Sequence, residues 1–245
     1  MHSEETAIYI ILLVALVLLR WRSRKEGLGS FWISLRTSGW NSLFQGALTA
    51  VIYALSYVAL VLASGRARLT FDVSMSSVIA TITSAAKLLA HILPEVLFTE
   101  MLFRGCLFPA LLQKKNGLLT PLILTSSMFT AYRLLLHNPL PYWLVYAVNT
   151  FILSSILCLM VFANQSLMGA LGKTLVFEVI QSLVFSGNPA ESSKSCLILS
   201  LNENVFTGAS GNIETSLGFS IVLVLGLAYE IRHMKKHHHL LTTTE

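Results

Sequence analysis

The chain has 245 residues, of which 54% are hydrophobic and 12% charged, and its mean hydropathy is +0.69. Soluble domains carry about 25% charged residues, so this composition excludes an ordinary soluble protein and indicates a membrane protein. The net charge of +5 would suggest a nucleic-acid partner in a soluble chain; here it is explained by orientation in a bilayer, and no nucleic-acid partner is predicted.

Apolar segments of about the 20 residues needed to cross a bilayer recur along the chain. The first lies at 7–19. Basic residues follow it rather than precede it, and no small-residue cleavage site is evident, so a signal anchor or first transmembrane helix is predicted instead of a signal peptide. The remaining predicted elements are a span at 40–63, a polar link at 64–76, a long helical stretch at 77–113 bent near Pro94, and spans at 118–136, 142–163, 167–185 and 216–231.

The predicted fold class is all-α, a multi-pass transmembrane helical bundle of about seven spans. With the N-terminus outside, ten basic residues fall on the cytoplasmic side and three outside, as the positive-inside rule requires. The ten are Arg20, Arg22, Arg24, Lys25, Arg36, Lys114, Lys115, Arg232, Lys235 and Lys236, and the three are Arg66, Arg68 and Lys194. If the stretch 77–113 were two shorter helices instead of one, the topology would change.

The predicted organisation has three parts: residues 1–76 with two spans and a basic cytoplasmic loop, residues 77–231 as the transmembrane core, and residues 232–245 as a basic cytoplasmic tail. The bacterial cytoplasmic membrane is the simplest location, with a eukaryotic internal membrane as the alternative. The loop at 186–215 is interpreted either as a lid over a cavity or as a disordered link.

No cofactor, metal site or disulfide framework is predicted. The three cysteines, Cys106, Cys158 and Cys196, have no motif spacing. The run from His237 to His239 could bind a metal weakly, but a polar cytoplasmic tail without that role is favoured.

Several charged side chains remain inside the predicted spans, where they mark functional sites unless they tie the fold together. Glu100 and Arg104 are four residues apart, so they share a helix face and can pair. Arg133 and Glu178 lie near the middle of their spans and are expected to be paired or to line a wet cavity. A polar stripe with a four-residue period is formed by Lys87, His91, Glu95 and Thr99. The long stems of Lys87 and Lys173 are expected to carry their amines to the membrane interface.

An ordered set of segments resembles the CAAX-processing and bacteriocin-processing (CPBP, or Abi) intramembrane proteases. Residues 100–109 resemble the first motif, Glu-Glu-x-x-x-Arg, which commonly ends Phe-Arg-Gly, and residues 126–133 resemble the second, Phe-x-x-x-His with preceding serines. Residues 166–185 resemble the last core helix, which normally carries His-x-x-x-Asn, and residues 207–217 resemble the glycine-rich approach to the final helix. The resemblance covers about 94–229 in the family's order.

The resemblance implies water attack on a peptide bond within the membrane. A glutamate would act as general base, histidines and an asparagine would position the water and the developing oxyanion, and the arginine would brace the glutamates. This chain retains only Glu100 and Arg104 of that set. The family's first glutamate, second-motif histidine, last-helix histidine and asparagine fall on Thr99, Arg133, Thr174 and Glu178.

The substitutions remove the base and the imidazoles together. Threonine is not a general base near neutral pH, and arginine does not give up its proton. No histidine lies between Asn138 and Arg232. The replacements at Arg133 and Glu178 are complementary in charge and are expected to form a buried ion pair across the family's cavity.

Three functions are weighed. The first is a catalytically degraded relative, a pseudoenzyme, that binds a membrane protein or lipid-modified peptide among membrane lipids. The second is an active endopeptidase using Glu100, Glu95 and His91, the last two spaced for a shared metal or proton relay, with His137 one turn beyond Arg133. The third is a transporter or ion pathway along the polar stripe, disfavoured because no repeat symmetry is visible.

Overall fold

In the computed structural model, the described residues are 2–23, 37–71, 74–114, 117–136, 141–185, 197–209 and 212–242. The helices are α1 (His2–Ser23), α2 (Thr37–Ala63), α3 (Met75–Glu100), a π-helix (Met101–Leu107), α4 (Phe108–Lys114), α5 (Leu119–Leu136), α6 (Trp143–Asn164), α7 (Met168–Val184), a 3₁₀ turn (Ile213–Thr215) and α8 (Leu217–Thr242). Every predicted span is helical, which confirms the helical class.

Some predictions fall outside the described residues. They concern the basic loop at 24–36, the first part of the loop at 186–215, and the residues Lys115, His137, Lys194 and Cys196. The same holds for the side chains of Arg20, Arg22, Lys235, Lys236 and His237 to His239.

Five helices of the described chain are long and apolar enough to cross a bilayer: Gly39–Ala63, Met75–Lys114, Leu119–Leu136, Trp143–Asn164 and Leu217–Met234. The described apolar part of the first helix is shorter, Thr6–Leu16, and α7 has 17 residues. Multiple apolar helices of this length identify an integral, multi-pass membrane protein.

The predicted stretch at 77–113 is one continuous helical segment, from Met75 to Lys114, rather than two separate helices. Ser74 begins it, because the Ser74 side chain accepts a hydrogen bond from the Ser77 amide. Pro94 lies inside α3, and the departure from α-helical geometry comes later, in the π-helix at Met101–Leu107.

Glycines bring α2 and α7 into close contact at the centre of the bundle. A Cβ at Gly46 would overlap the carbonyl oxygen of Gly169, and a Cβ at Gly172 would overlap the carbonyl oxygen of Leu43. Small residues at such positions allow backbones to approach, which drives helix association where lipid removes the hydrophobic contribution. The contact explains why Met168–Lys173 is buried throughout.

Paired contacts define the relative directions of the helices. The helices α2 and α7 are parallel, since Leu43 adjoins Gly172 and the Tyr57 ring lies 5.6 Å from that of Phe185. The helices α5 and α6 are antiparallel, because hydrogen bonds join Ser126 to Ser155 and Arg133 to Tyr146. The helix α8 is antiparallel to α2, because Gly226 packs on Tyr53 and Phe219 on Tyr57.

A two-stranded sheet was not predicted. Strand β1 (Ala67–Phe71) pairs antiparallel with β2 (Leu197–Leu201), with Ala67 opposite Leu201 and Phe71 opposite Leu197. The strands lie in the polar link after α2 and in the loop after α7, because parallel α2 and α7 end at the same face of the bundle. The part of the 186–215 loop that is described is therefore ordered.

Candidate functional site

A cavity of about 160 Å³ lies between α3, α5, α6, α7 and the turn before α8. Its apolar wall comes from Ile92, Val96, Phe129, Leu153, Leu157 and Phe177. Its polar lining comprises Glu95, Thr99, Arg133, Lys173, Thr174, Glu178, Gln181, Asn212 and Glu214. The four substituted motif positions, Thr99, Arg133, Thr174 and Glu178, therefore line one cavity.

The retained motif lies beside the cavity, at the junction of α3 with the π-helix. Insertion of a π turn adds a residue to the helix and is frequent at functional sites. Here the turn carries Arg104, whose Nη1 lies 3.3 Å from Oε1 of Glu100. Both side chains are fully buried, so the pairing predicted from their spacing is present in an apolar interior.

The neighbours of this pair come from three helices. Arg104 Nη2 donates to Ser154 Oγ on α6 at 2.9 Å, and its guanidinium lies 4.0 Å from the centroid of the Phe129 ring on α5. The Thr174 hydroxyl on α7 donates to Glu100 Oε1 at 3.0 Å. Thr174 lines the cavity and Glu100 does not, so the threonine stands between the carboxylate and the cavity.

A second charged cluster faces the cavity and is centred on Arg133. Its Nη2 donates to Oε1 of Glu178 at 3.3 Å and to Oε2 of Glu214 at 3.2 Å. Its Nε donates to the Tyr146 hydroxyl at 3.1 Å. The predicted contact between Arg133 and Glu178 is confirmed, but their side chains are 13% and 23% exposed rather than fully buried.

Glu214 is the member of this cluster that the sequence reasoning did not find. Its side chain is 3% exposed, which makes it the more buried of the two acids paired with Arg133. Asn149 on α6 holds the turn, because its Nδ2 donates to the carbonyl oxygens of Glu214 and Ser216 at 2.7 and 2.9 Å. Glu214 lies in the glycine-rich segment before the last helix. Its position as an acid next to an apolar span is the sequence feature that could have identified it as part of the site.

The Thr99 side chain forms hydrogen bonds within its own helix. Its hydroxyl donates to the backbone carbonyls of Glu95 and Val96, at 3.0 and 3.1 Å. A hydroxyl bonded in this way satisfies itself locally and does not replace a carboxylate that would hold a water molecule.

The two residues of the alternative site, His91 and Glu95, do not both line the cavity. His91 Nδ1 lies 2.8 Å from Thr6 Oγ1 on α1, and His91 does not line the cavity, whereas Glu95 does. Among the described side chains, no group of three or more His, Cys, Asp and Glu residues is placed to hold a metal ion.

One prediction about the lysines is wrong. Lys87 is exposed on α3, but Lys173 is 1% exposed, with its Nζ 3.9 Å from the centroid of the Tyr53 ring. Its stem does not reach the interface, because α7 is enclosed by α2, α3 and α6.

The arrangement presents a fixed cation to the cavity. Its central cation is a guanidinium, which does not accept a proton, and two carboxylates hold it in place. Glu100 has its Oε1 bound by Arg104 and Thr174 and is separated from the cavity.

Comparison with known proteins places most of the cavity lining within one family match, while Gln181, Asn212 and Glu214 lie beyond it. Residues 81–180 match the family model described as Type II CAAX prenyl endopeptidase Rce1-like. The match spans α3 to most of α7, and thus Glu100, Arg104, Arg133, Thr174 and Glu178. Searches of curated proteins and of solved structures gave no significant match.

Proposed function

Residues 81–180 belong to the Rce1-like family, and from this premise we propose that the protein is a catalytically inactive member that uses the cavity to bind a membrane protein or lipid-modified peptide. The observation that carries the proposal is Arg133 within the cavity wall, held by Glu178 and Glu214. A peptidase of this family would place an imidazole where this guanidinium lies.

Catalysis by the retained glutamate is opposed by its surroundings. A general base has to reach the attacking water directly or through one bridging water. Glu100 is fully buried behind Thr174, and its bound oxygen already accepts from a guanidinium and a hydroxyl. The carboxylate is therefore better placed to hold Arg104 and α6 than to take a proton from a water in the cavity.

The size and charge of the cavity define its ligand. A space of about 160 Å³ is comparable with an engineered protein cavity that binds benzene, so it suits one side chain of a bound protein or peptide. Its charged lining comprises three acids and two bases, an excess of one negative charge if all are ionised. Backbone amides or a basic side chain of the partner fit this lining best.

We further propose that the chain crosses the membrane seven times, with the N-terminus outside and the C-terminus in the cytoplasm. The parallel direction of α2 and α7 supports this, because parallel spans require an odd number of crossings between them, and three segments intervene: α3 with its continuation to Lys114, α5 and α6. The basic residues of the predicted cytoplasmic segments support the same orientation.

The experiment is proteolysis by the purified chain in liposomes against a panel of membrane-anchored peptides. The expected result is no cleavage by the unaltered protein. Cleavage abolished by Glu100→Gln would refute inactivity, and cleavage abolished by Glu95→Gln but not by Glu100→Gln would establish an endopeptidase with a rebuilt site, since Glu95 does line the cavity.

Binding is tested separately by replacing Phe177 with a photo-crosslinking phenylalanine. Phe177 lines the cavity, whereas Phe44 on α2 is 70% exposed and provides the matched control position. The expected result is a discrete crosslinked partner from Phe177 only, reduced when Glu178→Gln is added. Identical crosslinks from both positions would contradict binding in the cavity.

A further inference from the structure

A groove of about 580 Å³ lies between α2, α6 and α8, apart from the cavity. Its volume is within the range of small-molecule sites, roughly 300–1,000 Å³. Its rim is apolar and faces outward from the bundle, with four side chains between 51% and 67% exposed: Leu48, Ile52, Leu225 and Tyr229. On membrane-spanning helices, apolar side chains that face outward contact lipid, so the groove is open to the bilayer.

The groove extends over the depth of one leaflet. Along α2 it runs from Gln45 to Ser56, and along the antiparallel α8 it runs from His233 to Val222. Each interval is eleven residues long, which corresponds to about 16 Å at a rise of 1.5 Å per residue. Half of a hydrocarbon core of about 30 Å is about 15 Å. The molecule that fits the groove therefore belongs to one leaflet and is not a spanning helix.

The lining of the groove is polar at one end and mainly apolar at the other. The polar end lies near the membrane surface at which α6 ends and α8 leaves its apolar span, and it contains Gln45, Asn164, Glu230 and His233. The deeper lining consists mainly of Leu48, Ile52, Met160, Val222 and Leu225. This is the order of head group and acyl chain in a phospholipid.

One acid at the polar end is not neutralised by the protein. Glu230 is 7% exposed, and no hydrogen bond or ion pair within the described part of the chain reaches its carboxylate. The buried amine of Lys173 forms no hydrogen bond with it and instead lies 3.9 Å from the centroid of the Tyr53 ring. A carboxylate within a membrane segment is costly unless it is paired, and here it lines a groove that is open to lipid.

We propose that the groove binds one phospholipid whose head group carries a primary amine, as in phosphatidylethanolamine. The lipid ammonium donates a charge-assisted hydrogen bond to Glu230, and the phosphate oxygens accept from the side-chain amides of Gln45 and Asn164. One acyl chain lies along the apolar lining. A choline head group has no N–H to donate, and an anionic head group brings a net charge of the same sign as Glu230. The site is separate from the cavity, and the inference does not rest on the proposed function.

The test is native mass spectrometry of the full-length protein, stripped of lipid and then mixed with equal amounts of five lipids. These are phosphatidylethanolamine, its N-methyl and N,N-dimethyl forms, phosphatidylcholine and phosphatidylglycerol. Each added methyl group removes one N–H donor, so retention is expected to fall stepwise, by about tenfold in all between the ethanolamine and choline lipids. Equal retention of the five lipids would mean unselective surrounding lipid only and overturns the proposal.

Matched variants separate the two parts of the site. Glu230→Gln keeps the side-chain volume and is expected to abolish the preference for the ethanolamine lipid, whereas Glu203→Gln, at an exposed acid in the loop after β2, is expected to keep it. Leu225→Trp fills the groove and is expected to reduce lipid retention. Leu144→Trp, at a position of similar exposure outside the groove, is expected to leave it unchanged. A preference that persists in Glu230→Gln, or that is lost equally in Glu203→Gln, overturns the proposal.

A further measurement uses the unaltered chain, so it does not depend on the folding of any variant. A ligand that binds only the folded state raises its stability, so phosphatidylethanolamine is expected to raise the melting temperature in detergent more than phosphatidylcholine or phosphatidylglycerol at the same concentration. Equal shifts with the three lipids overturn the proposal.

Discussion

The burial of the two acids around Arg133 predicts how strongly each substitution in this cluster destabilises the fold. The side chain of Glu214 is 3% exposed and that of Glu178 is 23% exposed, and each pairs with the same Arg133 nitrogen. We predict that Arg133→Met destabilises the fold most, Glu214→Gln less, and Glu178→Gln least, because the cost of an unpaired charge rises with its desolvation.

The magnitudes follow from the environment of each group. Arg133→Met leaves two acids without their cation, and breaking a buried pair in this way costs about 3–5 kcal/mol. Glu214→Gln removes one charge-assisted hydrogen bond, which contributes about 1.5–3 kcal/mol. Glu178→Gln acts at a partly solvated group and is expected to cost about 1 kcal/mol or less. A variant with all three changes is expected to be more stable than Arg133→Met alone, because it leaves no uncompensated charge.

The assay is reversible unfolding in detergent micelles, with the free energy of unfolding measured for the three single variants and the triple variant. Near-ultraviolet circular dichroism establishes that each variant starts from a packed state. Equal losses for Glu178→Gln and Glu214→Gln would refute the argument from burial. A triple variant less stable than Arg133→Met would refute the argument from uncompensated charge.

Three further predictions concern packing and hydrogen bonds. Gly46→Ala is expected to destabilise the fold by more than the roughly 1–3 kcal/mol that is usual for overpacking, because the added Cβ would meet the backbone of α7. Gly105→Ala is expected to destabilise it less, because the atom nearest to its added Cβ lies at 3.7 Å. Thermal unfolding of the two variants compares these effects. Thr174→Val removes the hydroxyl bonded to Glu100 and is expected to cost about 1.5–3 kcal/mol by the same measurement, and an unchanged melting temperature would contradict it. Tyr57→Phe removes a 2.6 Å hydrogen bond from α2 to the carbonyl of Thr207 and is expected to increase protease cleavage within 202–216, with no change elsewhere in the chain.

The positions of the helices were predictable because apolar length is a local property of sequence. Each predicted span became a helix, with most ends shifted by a few residues, although α8 continues to Thr242 instead of ending at 231. The family resemblance extended this to the site, since the order of motifs placed Arg133 and Glu178 in one cavity. The sheet between β1 and β2 was not predictable, because its five-residue strands are distant in sequence and meet only after α2 and α7 pack in parallel.

Sequence by itself determined that this is a multi-pass helical membrane protein in which Glu100 and Arg104 pair, because hydropathy and a four-residue spacing are read within one segment. Only the tertiary structure decided that Glu214 joins Arg133, that Thr174 closes off Glu100, and that Lys173 is buried. Each of these depends on which helices touch. A side chain's surroundings are set by packing between segments, and a lysine that could reach the interface on a peripheral helix is enclosed when its helix is central.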